Sequence, residues 1–438
     1  MKLFKKTVFL LFCILLSTSL FAAGQQEAEG TGAAEAEEIT LVVWDFKYGE
    51  EEGAGPPFRK MDQMFMEAHP NVTIEHVAQP HDQYYEIIRA AVSAQEGPDV
   101  AMFHAEQRAY EMADFMVTLD NYVEPIRDDI SQNAWLACTP DRDFDSGIKM
   151  VPLTTQGLGF YYNKELFKQA GLDPEKPPKS WTDFLSTCET LKKAGITPFL
   201  WGNTPAYNTN WLYRTLLVNF YESEGLAGFA NGESNFTDER FVTVIEMMKE
   251  IQDRGYMDPE GASIPLFMDA INKFKNGKGA IFCGLLSDIA HWKDFADALG
   301  KDAVGYFPNI NHPEAQNKNR QNSMGTGLGW GIMTWSKHKD VAAKYITHYV
   351  SGKAPLEFVN QTGALVPNSK IDYDSLGYPL LSEILDYLKN NAVDDPVAFI
   401  PAAANNDLMS YDELLFNSQE ISVDEYIKRA QESLENAR

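Results

Sequence analysis

Val151–Phe199, VPLTTQGLGFYYNKELFKQAGLDPEKPPKSWTDFLSTCETLKKAGITPF, is the stretch from which the architecture can be read. An apolar and aromatic run reads as a strand and closes on the turn Asn163-Lys164. A short helix follows and stops at Gly171, where glycine tolerates the left-handed backbone of a helix end. A proline-rich loop leads to a second helix, with Ser180 placed to cap its first turn.

The chain before it reads as alternating strands and helices. Ile39–Phe46 (ITLVVWDF) is a β-branched run expected as a buried parallel strand. Helical spacing covers Phe58–Ala68, a strand is expected over Val72–Val77, a helix over Tyr84–Ala94, and a strand over Asp99–Phe103. A β-α-β-α-β order predicts a doubly wound parallel sheet, with ligands beyond the carboxyl ends of its strands. Two points on that edge are Asp45-Phe46-Lys47 and Phe103–Gln107.

With Val151-Pro152, Tyr161-Tyr162-Asn163-Lys164, Phe167, Ala170-Gly171-Leu172, Trp181, Phe184, Leu191, Gly195-Ile196 and Pro198 in this order, the segment resembles the centre of the family 1 extracellular solute-binding proteins. These proteins feed ABC importers and include the maltose-binding proteins. Further landmarks are Ala270–Gly284, Ser323–Ser336 followed by Lys337-His338, and Gly363–Pro367. The resemblance implies an α/β fold of two lobes, the type II periplasmic-binding-protein arrangement. Each lobe is a sheet flanked by helices, and several strands form the hinge. The expected N-lobe is residues 39–154 plus 309–349 and the expected C-lobe 155–308 plus 350–438, with crossings near Thr154, Pro308 and Val350. The amphipathic tail Ile421–Ala437, opened by Ser422 and Glu425, is expected as a docked helix.

The N-terminus reads as an export signal over residues 1–23, with Lys2, Lys5 and Lys6 before the apolar run Val8–Leu16 and small residues at Ala22 and Ala23. Cys13 sits behind Phe12, which argues against acylation, so a soluble periplasmic protein is expected. Residues 24–38 are rich in Ala, Glu and Gly and are expected as a flexible acidic leader. Without the three signal lysines, 34 basic residues face 63 acidic ones, a net charge of −29. Such a surface opposes nucleic acid and anionic membranes. Cys138, Cys188 and Cys283 are odd in number and far apart, which argues against a disulfide framework or zinc site.

No catalytic motif stands out. The chain holds no G-x-S-x-G elbow, no H-E-x-x-H and no Walker loop. Asp141–Gly147 lacks the glycine and glutamate of a calcium loop and reads as a hairpin turn. Gly325–Gly329 precedes a strand and reads as a close-approach turn. Neither a cofactor nor a metal is implied, and the expectation is a binding protein, not an enzyme.

Sugar recognition needs aromatic faces for pyranose rings, and acids or amides for hydroxyls that both donate and accept. Strand-end position nominates Asp45 and Lys47 on the first edge. The resemblance to the maltose-binding proteins adds Phe103 and Glu106, with His104 beside them, in a loop that carries a stacking aromatic and a carboxylate. It places Gln156 where those proteins have a ligand-binding Glu, a departure that puts maltose in doubt. It also brings Trp201, Asn203 and Trp211 to a cleft-facing loop, while Leu285-Leu286 stands where many relatives carry a stacking Trp. Trp330 and Tyr411 complete the nominations, each with a core placement as the competing reading. Tyr161 and Tyr162 are expected to be structural.

The function implied is capture of a mono- or oligosaccharide by a monomeric binding protein that delivers it to an ABC permease. A non-sugar solute such as glycerol phosphate, a role as a chemoreceptor partner, and a carbohydrate-active enzyme remain as competing readings.

Overall fold

A computed structural model describes residues 37–438 except 52, 106, 264–266 and 287–290. The expected signal peptide, Cys13, nearly all of the leader and Glu106 lie outside the described residues.

The chain builds two sheets flanked by helices. The first has the order β2-β1-β3-β10-β4, from β1 (Ile39–Asp45), β2 (Val72–Ala78), β3 (Val100–His104), β4 (Val151–Pro152) and β10 (Leu328–Ile332). β1 runs parallel to β2 and β3, and β10 runs antiparallel to β3 and β4. The helix Gly55–Ala68 buries Phe58, Met61 and Phe65. These are the i, i+3 and i+7 positions of one helical face, which is why the segment folds onto the sheet. The helix Tyr84–Ala94 ends on a left-handed Gln95.

The second sheet has the order β11-β9-β5-β7-β6, with β8 also paired to β5. Its strands are β5 (Thr155–Asn163), β6 (Phe199–Leu200), β7 (Ile281–Leu285), β8 (Val304–Phe307), β9 (Gln321–Thr326) and β11 (Ala392–Asp394). Tyr161 and Tyr162 are buried in β5, and their hydroxyls donate to the carbonyls of Leu285 and Pro174 at 2.8 Å. Ser180 and Asp183 close a capping box at the helix Trp181–Lys193. The tail helix Val423–Ala437 buries Tyr426, Ile427, Ala430 and Leu434. Cys138, Cys188 and Cys283 are buried free thiols. Residues 140–146 form two short 3₁₀ turns rather than a hairpin, and β4 pairs instead with β10 from later in the chain.

The chain passes between the sheets at three places. The first falls at Thr154, between β4 and β5. The second falls at Gly327 and not near Pro308, because β9 pairs with β5 and β11 before the chain enters β10. The third lies at Gly363–Leu365 and not at Val350. The helix Ala354–Thr362 first packs Phe358 on Phe58 of the first lobe, with ring centroids 5.3 Å apart. Hydrogen bonds tie the three passages side by side. Thr155 N donates to Leu365 O at 2.7 Å, and Gly327 N to Thr154 O at 3.0 Å. Thr155 Oγ1 donates to Gly325 O at 2.9 Å.

Candidate functional site

The carboxyl ends of β1 and β3 lie side by side and carry a cluster of rings. Phe46, just past β1, stacks on His104 at the end of β3, with centroids 5.1 Å apart and planes 10° from parallel. His81 and Tyr84 approach Phe46 edge-on, each at 5.0 Å. The Tyr85 hydroxyl accepts from His104 N at 2.9 Å and lies 2.8 Å from Nδ1. Phe46 is buried beneath the cluster while His104 is exposed. This is a fixed aromatic surface of the kind a pyranose face requires.

A buried ion cluster supports that surface. Asp45 Oδ1 accepts from Lys47 N and Tyr48 N at 2.8 and 2.7 Å, which fixes the turn that carries Phe46. Its Oδ2 lies 3.1 Å from His76 Nε2, and His76 Nδ1 lies 2.8 Å from Asp62 Oδ2. Tyr345 and Tyr349 donate to the other Asp62 oxygen at 2.7 and 2.6 Å. Burial alone pushes the His76 imidazole down, but hydrogen bonds and charge from Asp45 and Asp62 outweigh it and hold it up at about 9. At neutral pH His76 is therefore a cation between two carboxylates.

Next to the rings lies the passage between the sheets. Ala105 N donates to Gly327 O at 3.0 Å. The Gln156 side chain rests on Gly327, where an added Cβ would come within 2.4 Å of Nε2. None of the described residues offers the half-buried Gln156 amide a hydrogen bond. Gly157, buried in the second sheet, accepts from Leu286 N at 3.0 Å. Leu285 N donates to His291 Nδ1 at 3.0 Å, and burial pushes that imidazole down to about 3, so it is neutral. His291 meets Trp211 at 5.9 Å, and Trp211 meets Tyr207 at 6.3 Å. Tyr207, at the start of the helix Tyr207–Leu217, is 38% exposed.

The nominated residues separate into two groups. His104 and Gln156 stand together at the passage with available surface, and Lys47 is near them, paired to Glu50 at 3.1 Å. Of the other described nominees, all but the partly exposed Tyr411 are buried. Phe103 is fully buried, one residue from exposed His104, because alternate residues of a strand face opposite ways. Asp45 is the buried turn acceptor already described. Trp201 is buried, and its Nε1 donates to Asp258 O at 2.7 Å. Asn203 is buried, accepts from Thr209 N at 3.0 Å and donates to Asn417 at 2.8 Å. Trp211 is buried behind Tyr207. Trp330 is core, 5.3 Å from Tyr349, and Tyr411 packs edge-on to Tyr426 at 6.4 Å. Phe46, Tyr85 and Tyr207, which the sequence did not nominate, lie beside the nominated residues. The available signal was an aromatic at a strand end or at the start of the next helix.

Three kinds of likeness place these features among known proteins. A sequence profile described as bacterial extracellular solute-binding protein matches residues 48–354. The sn-glycerol-3-phosphate-binding periplasmic protein of Shigella dysenteriae is 28% identical over 235 residues, covering 51% of this chain and 49% of that protein. The chain thus spans about half the length of the curated relatives it matches. Among solved structures, a probable secreted solute-binding lipoprotein of Streptomyces coelicolor superposes with a TM-score of 0.76 at 17% identity, covering 91% of this chain and 99% of that one. A chitin oligosaccharide binding protein superposes with a TM-score of 0.69 at 19% identity, over 91% and 99% of the two chains.

Proposed function

The chain belongs to the bacterial extracellular solute-binding proteins, and from that membership we propose that it captures a neutral mono- or oligosaccharide between its lobes and hands it to an ABC permease. The observation that carries the sugar reading is the pairing of the Phe46–His104 stack with the unengaged Gln156 amide beside it. A ring face and an amide that both donates and accepts are what a pyranose asks for. Lys47 is the cation on the described part of this surface, and Glu50 neutralises it. The similarity to a chitin oligosaccharide binding protein agrees with this ligand class. The lobes in this reading are residues 38–154 with 327–362, and 155–326 with 363–438. Export through a cleaved signal and a monomeric working state belong to the same proposal, as does binding rather than turnover.

The glycerol-phosphate-binding relative supports a second reading, an anionic solute. A thermal-shift panel separates them: neutral glucose-, galactose- and N-acetylglucosamine-based oligosaccharides beside glycerol 3-phosphate, at low and physiological salt. A ligand at ~100 times its Kd should stabilise the fold by about 2.7 kcal/mol. Stabilisation by a neutral glycan, unchanged by salt, supports the proposal. Stabilisation by glycerol 3-phosphate alone, weakening with salt, replaces it with the second reading.

A further inference from the structure

Gly327 lies where β9 gives way to β10, and it is held on both sides. Its carbonyl accepts from Ala105 at the end of β3, and its N–H donates to Thr154 in the first passage, each at 3.0 Å. Its φ is outside the left-handed region, so backbone conformation does not call for glycine here. Space does. A Cβ on Gly327 would lie 2.4 Å from Nε2, 2.7 Å from Cδ and 3.0 Å from Cγ of Gln156. All three nearest atoms belong to that one side chain, so the amide lies across the Gly327 α-carbon. The β5–β9 pairing also slips there: Gln156 faces Gly325, whereas Gly157 faces Ser323. Such a bulge re-aims the side chain beside it.

We propose that Gly327 is a positioning residue: its missing side chain seats the Gln156 amide across the passage between the lobes, so that a ligand hydroxyl held by that amide and the angle between the lobes change together. The second half of this statement rests on the sugar-capture reading, so the test begins without a sugar. Lys60 and Lys193 are exposed on helices over the first and second sheets, and the described cysteines are buried. Spin labels on Lys60→Cys and Lys193→Cys then report the distance between lobes. Gly327→Ala should shift that distance distribution and lower the thermal midpoint. The double variant Gln156→Ala/Gly327→Ala should return both toward the wild-type values, because the new Cβ no longer meets an amide. If Gly327→Ala does not fold, folding of the double variant is the same rescue. An unshifted Gly327→Ala overturns the proposal. So does a double variant as perturbed as the single one, since the backbone itself would then be refusing the Cβ. In a second arm, the glycan that best stabilises the wild type should bind Gly327→Ala at least about fivefold more weakly. It should bind the double variant no more weakly than Gln156→Ala. A panel without any stabilising glycan sinks the sugar reading and leaves the first arm decisive for Gly327.

Discussion

Asp45 and His76 meet at 3.1 Å beneath the ring cluster, with Asp62 on the far side of the imidazole at 2.8 Å. Asp45 also fixes the turn that presents Phe46, so one buried carboxylate connects the charge cluster to the candidate site.

That contact predicts a pH dependence. The folded-state value of His76, about 9, is above its ordinary 6.5. Its stabilisation is therefore fully present below about 6.5 and is lost as pH rises through 9. The amount at stake is on the order of a few kcal/mol. His76→Gln should destabilise the protein at pH 6 by about 3–5 kcal/mol, because it leaves two buried carboxylates without their cation. Urea unfolding of both proteins from pH 6 to 10 should show that gap narrowing. A gap that stays constant would mean His76 carries no charge in the fold.

Trp201 and His104 should separate stability from binding. Trp201→Phe keeps most of the buried ring and removes the indole donor to Asp258 O, which still accepts from Gly261 N, so it should cost about 0.5–1.5 kcal/mol of stability and leave affinity unchanged. His104→Ala removes the exposed partner of the stack, so it should leave stability within about 0.5 kcal/mol and weaken glycan binding by about 1 kcal/mol. Calorimetric titration with denaturation on the same samples checks both. The reverse pattern would return the site to the Trp201 loop.

These two residues also show how far the sequence could be read. The first three strands and two helices followed from β-branched runs and helical spacing, and they formed where expected. β9, QNSMGT, offers no apolar run, yet Gln321, Asn322 and Ser323 are buried. Its polar groups find partners far away in sequence: Gln321 donates to Leu158 O, and Asn322 to Arg214 O. Such a strand exists only through tertiary contacts, so the second passage was placed too early. At the site, strand parity put His104 outside and Phe103 inside, and Trp201 was claimed by a carbonyl 57 residues away. Sequence position nominated an edge but could not tell which of its side chains the interior would take.

Asp412 predicts a second pH effect. It is fully buried, accepting from Tyr426 Oη at 2.9 Å and Thr209 Oγ1 at 3.1 Å. Burial pushes its carboxyl up to about 8, against the lowering effect of those two hydroxyls. A raised carboxyl pKa stabilises at low pH, and that contribution disappears as pH rises from about 4 through 8. Asp412→Asn keeps an acceptor for Tyr426 and cannot ionise. Relative to the wild type it should gain stability steadily between pH 5 and 9, by a few kcal/mol in all. Parallel stability curves would show that Asp412 is ionised throughout.

Ligand-driven closure is the last prediction, and it follows from the three passages. Thr154–Thr155, Gly327 and Gly363–Leu365 are short, adjacent and hydrogen-bonded to one another. Side-chain contacts such as the Arg142–Asp394 ion pair, and Thr326 Oγ1 donating to Ala134 O at 2.9 Å, accompany these passages. A solute that touches His104 on one lobe and Gln156 at the passage binds better when the lobes approach, and it draws the population toward that state. X-ray scattering should give a smaller radius of gyration with a saturating glycan than without. Gln156→Ala should reduce the change at equal occupancy, because the ligand then lacks its contact at the passage. An identical radius in a sample with proven tight binding would mean that the lobes are already closed, and that uptake is not signalled by their movement.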